Sequence, residues 1–287
     1  MAIITGPGPS LRSQWLGEKL RELRVAKKMS LRVAGEYLQR DASTMSRYES
    51  GEYPLRRADL VALMTLYDVS DPKARADLEQ ICEDAWQRDW WDRHKADFGK
   101  DFINLPWLES RANRICKYQQ MVVEGLLQTR DYAEMLIRKA EEGHALEEQI
   151  ERWVDLRMDR QQVLGGEAPV ELSVILEEYV LDRAVGGPEV WRRQLKRLLS
   201  ECLRDNVEIR IMPADRAPHA GHLGSFMLFE MPDPYPRVAH LDTLAGSLFV
   251  EDPKVQRVVQ VWEDLSAEAL DPERSAELIT ARIEEMK

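Results

Sequence analysis

Two short helices that pack at a steep angle across a tight turn need small residues where they touch and apolar residues on their inward faces. Residues 31–50 supply both. Ala34, Leu38, Met45 and Tyr48 form the inward set, and Gly35 offers a position of close approach on the first of the two helices. Ser30 is placed to cap that first helix, and Ala42 or Ser43 opens the second. Further stretches of helical spacing flank the pair at 15–27, 57–67 and 72–95, so the head of the chain is predicted to be a compact all-α domain.

The chain has 287 residues, 44% of them apolar, enough for a small domain and a larger one with separate cores. The expected fold class is α+β: an all-α N-terminal domain followed by a mixed α/β C-terminal domain. Residues 1–12, with Gly6, Pro7, Gly8 and Pro9, read as a flexible tail, 13–70 as the helical domain, 71–106 as a helical linker and 107–287 as the α/β domain. Residues 1–70 are expected to fold alone. Gly99 and Pro106 break the periodicity over 97–107, which reads as the linker proper. Beyond it, β-like runs at 169–177, 207–212, 224–231 and 237–244 predict four or five strands. Helices are expected at 189–204, 253–265 and 272–286, the last opened by Asp271 and Pro272.

Taken as an average, the net charge of −11 argues against a nucleic-acid partner. It is unevenly spread, however. Residues 1–70 carry eleven Lys and Arg against eight Asp and Glu, leaving a head of +3 on a body of −14. Such a chain can meet DNA through its head while its body repels non-specific contact. No apolar run reaches the roughly 20 residues that cross a bilayer, and the start has neither a basic nor an apolar signal region. A cytoplasmic protein is expected, and Cys82, Cys116 and Cys202 read as reduced, buried thiols.

The stretch from Ser30 to Tyr67, above all STMSRYESGE, resembles the helix-turn-helix domains of the lambda-repressor, Cro and xenobiotic-response-element class. The turn position that usually holds Gly is Gln39, which would have to adopt a left-handed conformation. The resemblance implies that the helix beginning near Ser43 lies in the major groove, with Ala42, Ser43, Ser46 and Arg47 facing base edges. Arg47 suits direct readout, because a guanidinium can pair bidentately with guanine. Arg40, Thr44, Arg56 and Arg57 would serve the phosphates. Arg24 and Glu49 match an ion pair common in the class, taken here as exposed and worth about 0 to 1 kcal/mol.

The body resembles the C-terminal domain of WhiJ-like regulators of filamentous actinobacteria. GLLQTRDYAEML, VILEEYVLDRAVGGPEVWRRQLKRLL, VEIRIMP with HAGHLGSFMLFE, and LSAEALDPERSAELI carry the match, while Glu124 stands where the family usually has Pro. This implies a sequence-specific transcription regulator whose body senses a ligand or partner and dimerises. The implied partners are a double-stranded DNA operator, a second copy of the chain and a small protein encoded nearby. The alternative is an antitoxin-like or anti-regulator protein whose main task is to hold that small partner, with DNA binding for autoregulation.

An enzyme is not expected. His219, His222 and His240 include an HxxH pair, but it falls in a turn rich in Pro and Gly rather than on one helix face. Glu177 and Glu178 are adjacent at the end of a β-run and read as a solvated helix start. Gly186 and Gly187 make a helix break, and no GxGxxG, P-loop or GxSxG is present. No catalytic residue, metal or cofactor is assigned. Trp86, Trp90, Trp91 and Trp107, with Phe98 and Phe102, crowd the linker region and form a candidate sensing cluster.

Overall fold

The computed structural model describes residues 9–87, 91, 104–216, 218–243 and 246–286. The chain divides into two units, Met1–Trp107 with Asp233–Tyr235, and Leu108–Pro232 with Pro236–Lys287. The fold class is α+β, a helical N-terminal region and a C-terminal six-stranded mixed sheet with helices.

The first unit contains α1 (Leu11–Ala26), α2 (Leu31–Tyr37), α3 (Ala42–Glu49), α4 (Arg57–Leu66) and α5 (Pro72–Trp86). Helices this short draw their stability from packing, and Leu16, Leu20, Ala34, Met45, Leu60, Leu63 and Met64 are all but inaccessible to solvent. Side-chain caps fix their starts: Ser10, Ser30, Asp41 and Asp71 accept the first free backbone N–H groups. The Ser10 cap explains why α1 begins at Leu11 rather than at Trp15. Three helices end alike, with Lys28, Gln39 and Asp68 at φ of 55°, 57° and 55°. After each, a backbone N–H reaches back to close the helix, as from Met29 to Arg24 O at 3.1 Å and from Val69 to Met64 O at 2.9 Å.

The segment expected as a helical linker, 71–106, carries α5, which buries Leu78, Ile81 and Cys82 and packs against α1 and α4. Residues 97–107 do not form the break expected of them throughout, since α6 runs from Asn104 to Arg111. Pro106 lies in its first turn, where a backbone N–H has no intrahelical partner to lose. Trp90, Phe98 and Phe102 lie outside the described residues.

In the second unit the sheet order is β3-β2-β1-β4-β5-β6, where β1 is Arg114–Gln119, β2 Glu171–Glu177, β3 Val207–Met212, β4 Phe226–Glu230, β5 Val238–Thr243 and β6 Gly246–Val250. Strands β1, β2 and β3 are parallel, and β4, β5 and β6 continue the sheet antiparallel from β1. Helices α7 (Arg130–Ala140) and α8 (Glu147–Arg160) connect β1 to β2, and α9 (Pro188–Glu201) connects β2 to β3, as parallel pairs require. After the sheet come α10 (Val255–Glu268) and α11 (Pro272–Glu285), the latter capped by Asp271 as expected. One sheet face packs Cys116, Tyr118, Ile175, Met212, Phe226, Leu228 and Ala239 against Val255, Trp262 and Leu265 of α10. The other carries Ile209, Val174, Lys117, Met227 and His240 as one cross-strand row.

The sheet has six strands where four or five were expected, and β1 and β6 lie outside the four β-like runs read from the sequence. In β1 the buried Lys117 interrupts the apolar run, and it is neutralised by an ion pair with the equally buried Glu124. In β6 the sequence GSLFV is short and largely exposed. Glu177 is not solvated. It is 6% exposed at the end of β2, where Tyr118 Oη and His219 Nε2 donate to its Oε1, the latter at 3.1 Å. All three cysteines are free thiols, with Cys82 and Cys116 buried and Cys202 only partly so.

Candidate nucleic-acid interface

The α2–turn–α3 hairpin builds the site. Gln39 takes the left-handed conformation at the turn, so that Arg40 N–H closes on Gly35 O at 2.8 Å. A side chain at Gly35 would press its Cβ to 2.7 Å from Arg40 O, so the close approach is to the turn itself. Asp41 begins α3, accepting Thr44 N–H at 2.6 Å and the Ser43 hydroxyl at 2.8 Å. Those bonds, the backbone one first, hold its carboxyl below the usual range.

Behind α3, α1 comes into backbone contact: a Cβ on Gly17 would sit 2.5 Å from Glu49 O. Arg24 of α1 grips Glu49 in a fork, Nε to Oε1 at 2.6 Å and Nη2 to Oε2 at 2.8 Å, and its third nitrogen donates to Met29 O at 2.7 Å. The expectation of an exposed pair is corrected here, since the two side chains are 12% and 7% accessible. Tyr67 is buried nearby, and burial pushes its phenol up to about 12. The inner row of α3 is thus pinned by Met45 in the core and Glu49 on α1.

The outer row consists of Ala42, Ser43, Ser46 and Arg47, all exposed and one helical face apart from Met45. The four residues expected at base edges are therefore brought together. Arg47 is not loose: its Nη1 donates to Tyr53 Oη at 2.7 Å, and its guanidinium lies 5.0 Å over the Tyr53 ring. Tyr53 was not singled out in the sequence, where only its place six residues after Arg47 could have marked it. Of the residues expected at phosphates, Arg40 and Arg56 are exposed, and Thr44 is half-buried with its backbone N–H on Asp41. Arg57 is exposed but engaged, 2.7 Å from Glu79 and 3.8 Å from Glu83 of α5.

The tryptophans do not share one environment. Trp86 is half exposed and donates to Leu55 O at 2.7 Å, whereas Trp91 and Trp107 are buried. The Trp107 ring meets Trp15 at 5.8 Å and Tyr235 at 5.1 Å, with the Arg12 guanidinium 5.1 Å above it. The histidines separate as well. His219 packs edge-on to Tyr118 on the α10 face, His240 belongs to the opposite face with Lys117, and His222 is exposed. Among the described residues no group of three His, Cys, Asp or Glu side chains could hold a metal ion. No described helix is long and apolar enough to cross a membrane.

Residues 15–78 match the helix-turn-helix domain family, and residues 102–281 match a domain of unknown function, DUF5753. No curated protein and no solved structure matches the chain.

Proposed function

From a chain that belongs to the DUF5753 family and carries a helix-turn-helix domain ahead of that region, we propose a sequence-specific DNA-binding transcription regulator whose body senses a small ligand or partner. The observation that carries this reading is the outer row of α3. Ala42, Ser43, Ser46 and Arg47 face outward together on a helix whose inner row is fixed by Met45 and by the Arg24–Glu49 fork. A recognition helix needs that combination, because base contacts discriminate only when the backbone behind them is held still. Arg40 and Arg56 supply positive charge for phosphates, and Arg57 joins them by exchanging Glu79 for a phosphate oxygen.

The regulator acts as a homodimer on a palindromic operator with half-sites about one helical turn apart, and it catalyses no reaction. Its operator can be selected from a pool of random duplexes with the full-length protein. In the selected site, Arg47→Ala is expected to cost about 1 to 3 kcal/mol and to relax specificity at one or two base positions. Loss of equal size on operator and on random DNA would refute the role of Arg47. Failure to enrich any sequence would refute the reading as a whole.

A further inference from the structure

We propose that the α10 face of the sheet holds a binding site for a small zwitterion with an apolar side chain, of the α-amino-acid class. The inference concerns the second unit alone and does not rest on DNA binding. A cleft of about 510 Å³ opens there between the sheet and α10, a size typical of small-molecule sites. Its polar lining includes Arg114, Arg237 and Glu230, beside the Arg210–Glu208 pair, Glu263 and Ser266, and its apolar wall comes from Leu228, Val259 and Trp262.

Three charges of this cleft, Arg114, Glu230 and Arg237, do not pair with one another. Register places Arg114 directly opposite Glu230 across β1 and β4, yet the Arg114 guanidinium spends its hydrogen bonds on the neutral Ser173 hydroxyl, at 2.9 and 3.3 Å. Among the described residues, neither the Arg237 nor the Glu230 side chain makes a hydrogen bond or an ion pair. Other charges do find partners: Arg210 of the same cleft pairs with Glu208 at 2.8 Å, and elsewhere in the unit Arg282 pairs with Asp182 at 2.9 Å. Two residues along β1 and on the same face, the Cys116 thiol is pushed up to about 12 by its burial, with Arg114, Glu230 and Arg237 among the charges acting on it.

A guanidinium fork donates bidentately to a carboxylate, so two partly satisfied arginines call for one. A plain anion would also face Glu230 and meet like charge. A molecule bearing an ammonium beside its carboxylate satisfies both signs at once, and its apolar side chain removes Trp262 and Val259 from water. Those two residues stand three apart on α10, so their side chains form one wall.

The test is calorimetric titration of the full-length chain with leucine, methionine and phenylalanine. Hydrocinnamate and phenethylamine serve as the forms of phenylalanine that lack one charge each. At least one of the three amino acids is expected to bind with a Kd below about 1 mM, and the single-charge forms at least about tenfold more weakly. Arg237→Gln and Glu230→Gln are each expected to weaken binding by about tenfold or more without lowering the melting temperature, since neither side chain has a protein partner to lose. No binding of any of the three at about 10 mM would overturn the proposal. So would hydrocinnamate binding as tightly as phenylalanine, or an affinity that neither variant changes.

Discussion

Arg24 and His240 show how burial changes what a single ionisable side chain is worth. Because the Arg24–Glu49 fork is removed from water, Arg24→Ala would leave Glu49 as a buried, unmatched carboxylate at the C-terminal end of α3. The expected loss is about 3 to 5 kcal/mol, several times that of an exposed pair, and chemical denaturation of the variant measures it. His240 is 1% exposed, and burial, opposed by Asp242, lowers its pKa to about 4, with Lys117, Glu109 and Arg160 acting from neighbouring elements. An unfolded histidine titrates near 6.5, so between about pH 6.5 and 4 the unfolded chain binds the extra proton. The stabilisation by neutral His240 is therefore complete above about pH 6.5 and shrinks by ~1.4 kcal/mol per pH unit as the solution is acidified. Denaturation midpoints of His240→Phe should be flatter across that interval than those of the native chain. Identical slopes would assign the acid limb to other groups.

At the level of elements, α5 decides how far the head extends. It buries Leu78 and Ile81 against the helices before it, each worth about 1.5 to 3 kcal/mol of transfer free energy. A fragment of residues 1–87 is expected to be more stable than one of residues 1–70 by about 3 kcal/mol or more, as read by thermal unfolding followed by circular dichroism. Equal melting of the two would show α5 to be an ornament of the fold rather than part of its core. The sequence disclosed the head well because its helices obey local rules: Ser30 caps where expected and Gln39 turns left-handed where the pattern required it, and the same capping rule placed Asp271 at the last helix of the body. It disclosed β1 poorly, since Lys117 reads as a surface residue until Glu124 is placed beside it, a tertiary fact. The partner of Arg47 was hidden for the same reason. Tyr53 lies beyond the helix, and no helical spacing links the two. Likewise, Glu177 takes its burial from Tyr118 and His219, which are distant in sequence.

For the whole molecule, the two ends of the sheet are treated differently. At β3 the outer backbone is occupied, because Leu270 N–H donates to Ile211 O and Ile211 N–H donates to Ser275 Oγ, both at 2.9 Å. At β6 no further strand is added among the described residues, and Leu248 is 53% exposed. In the language of polymer chemistry the sheet is a monofunctional monomer: one reactive end, the other already stopped. Pairing of strands between copies would consume both free ends in a single step, and nothing would remain to propagate from. Association through this edge consequently terminates at two chains however concentrated the solution. Light scattering at rising concentration should level off at the mass of a dimer, and Leu248→Lys, which puts a charge on the free end, should shift that curve toward the single chain.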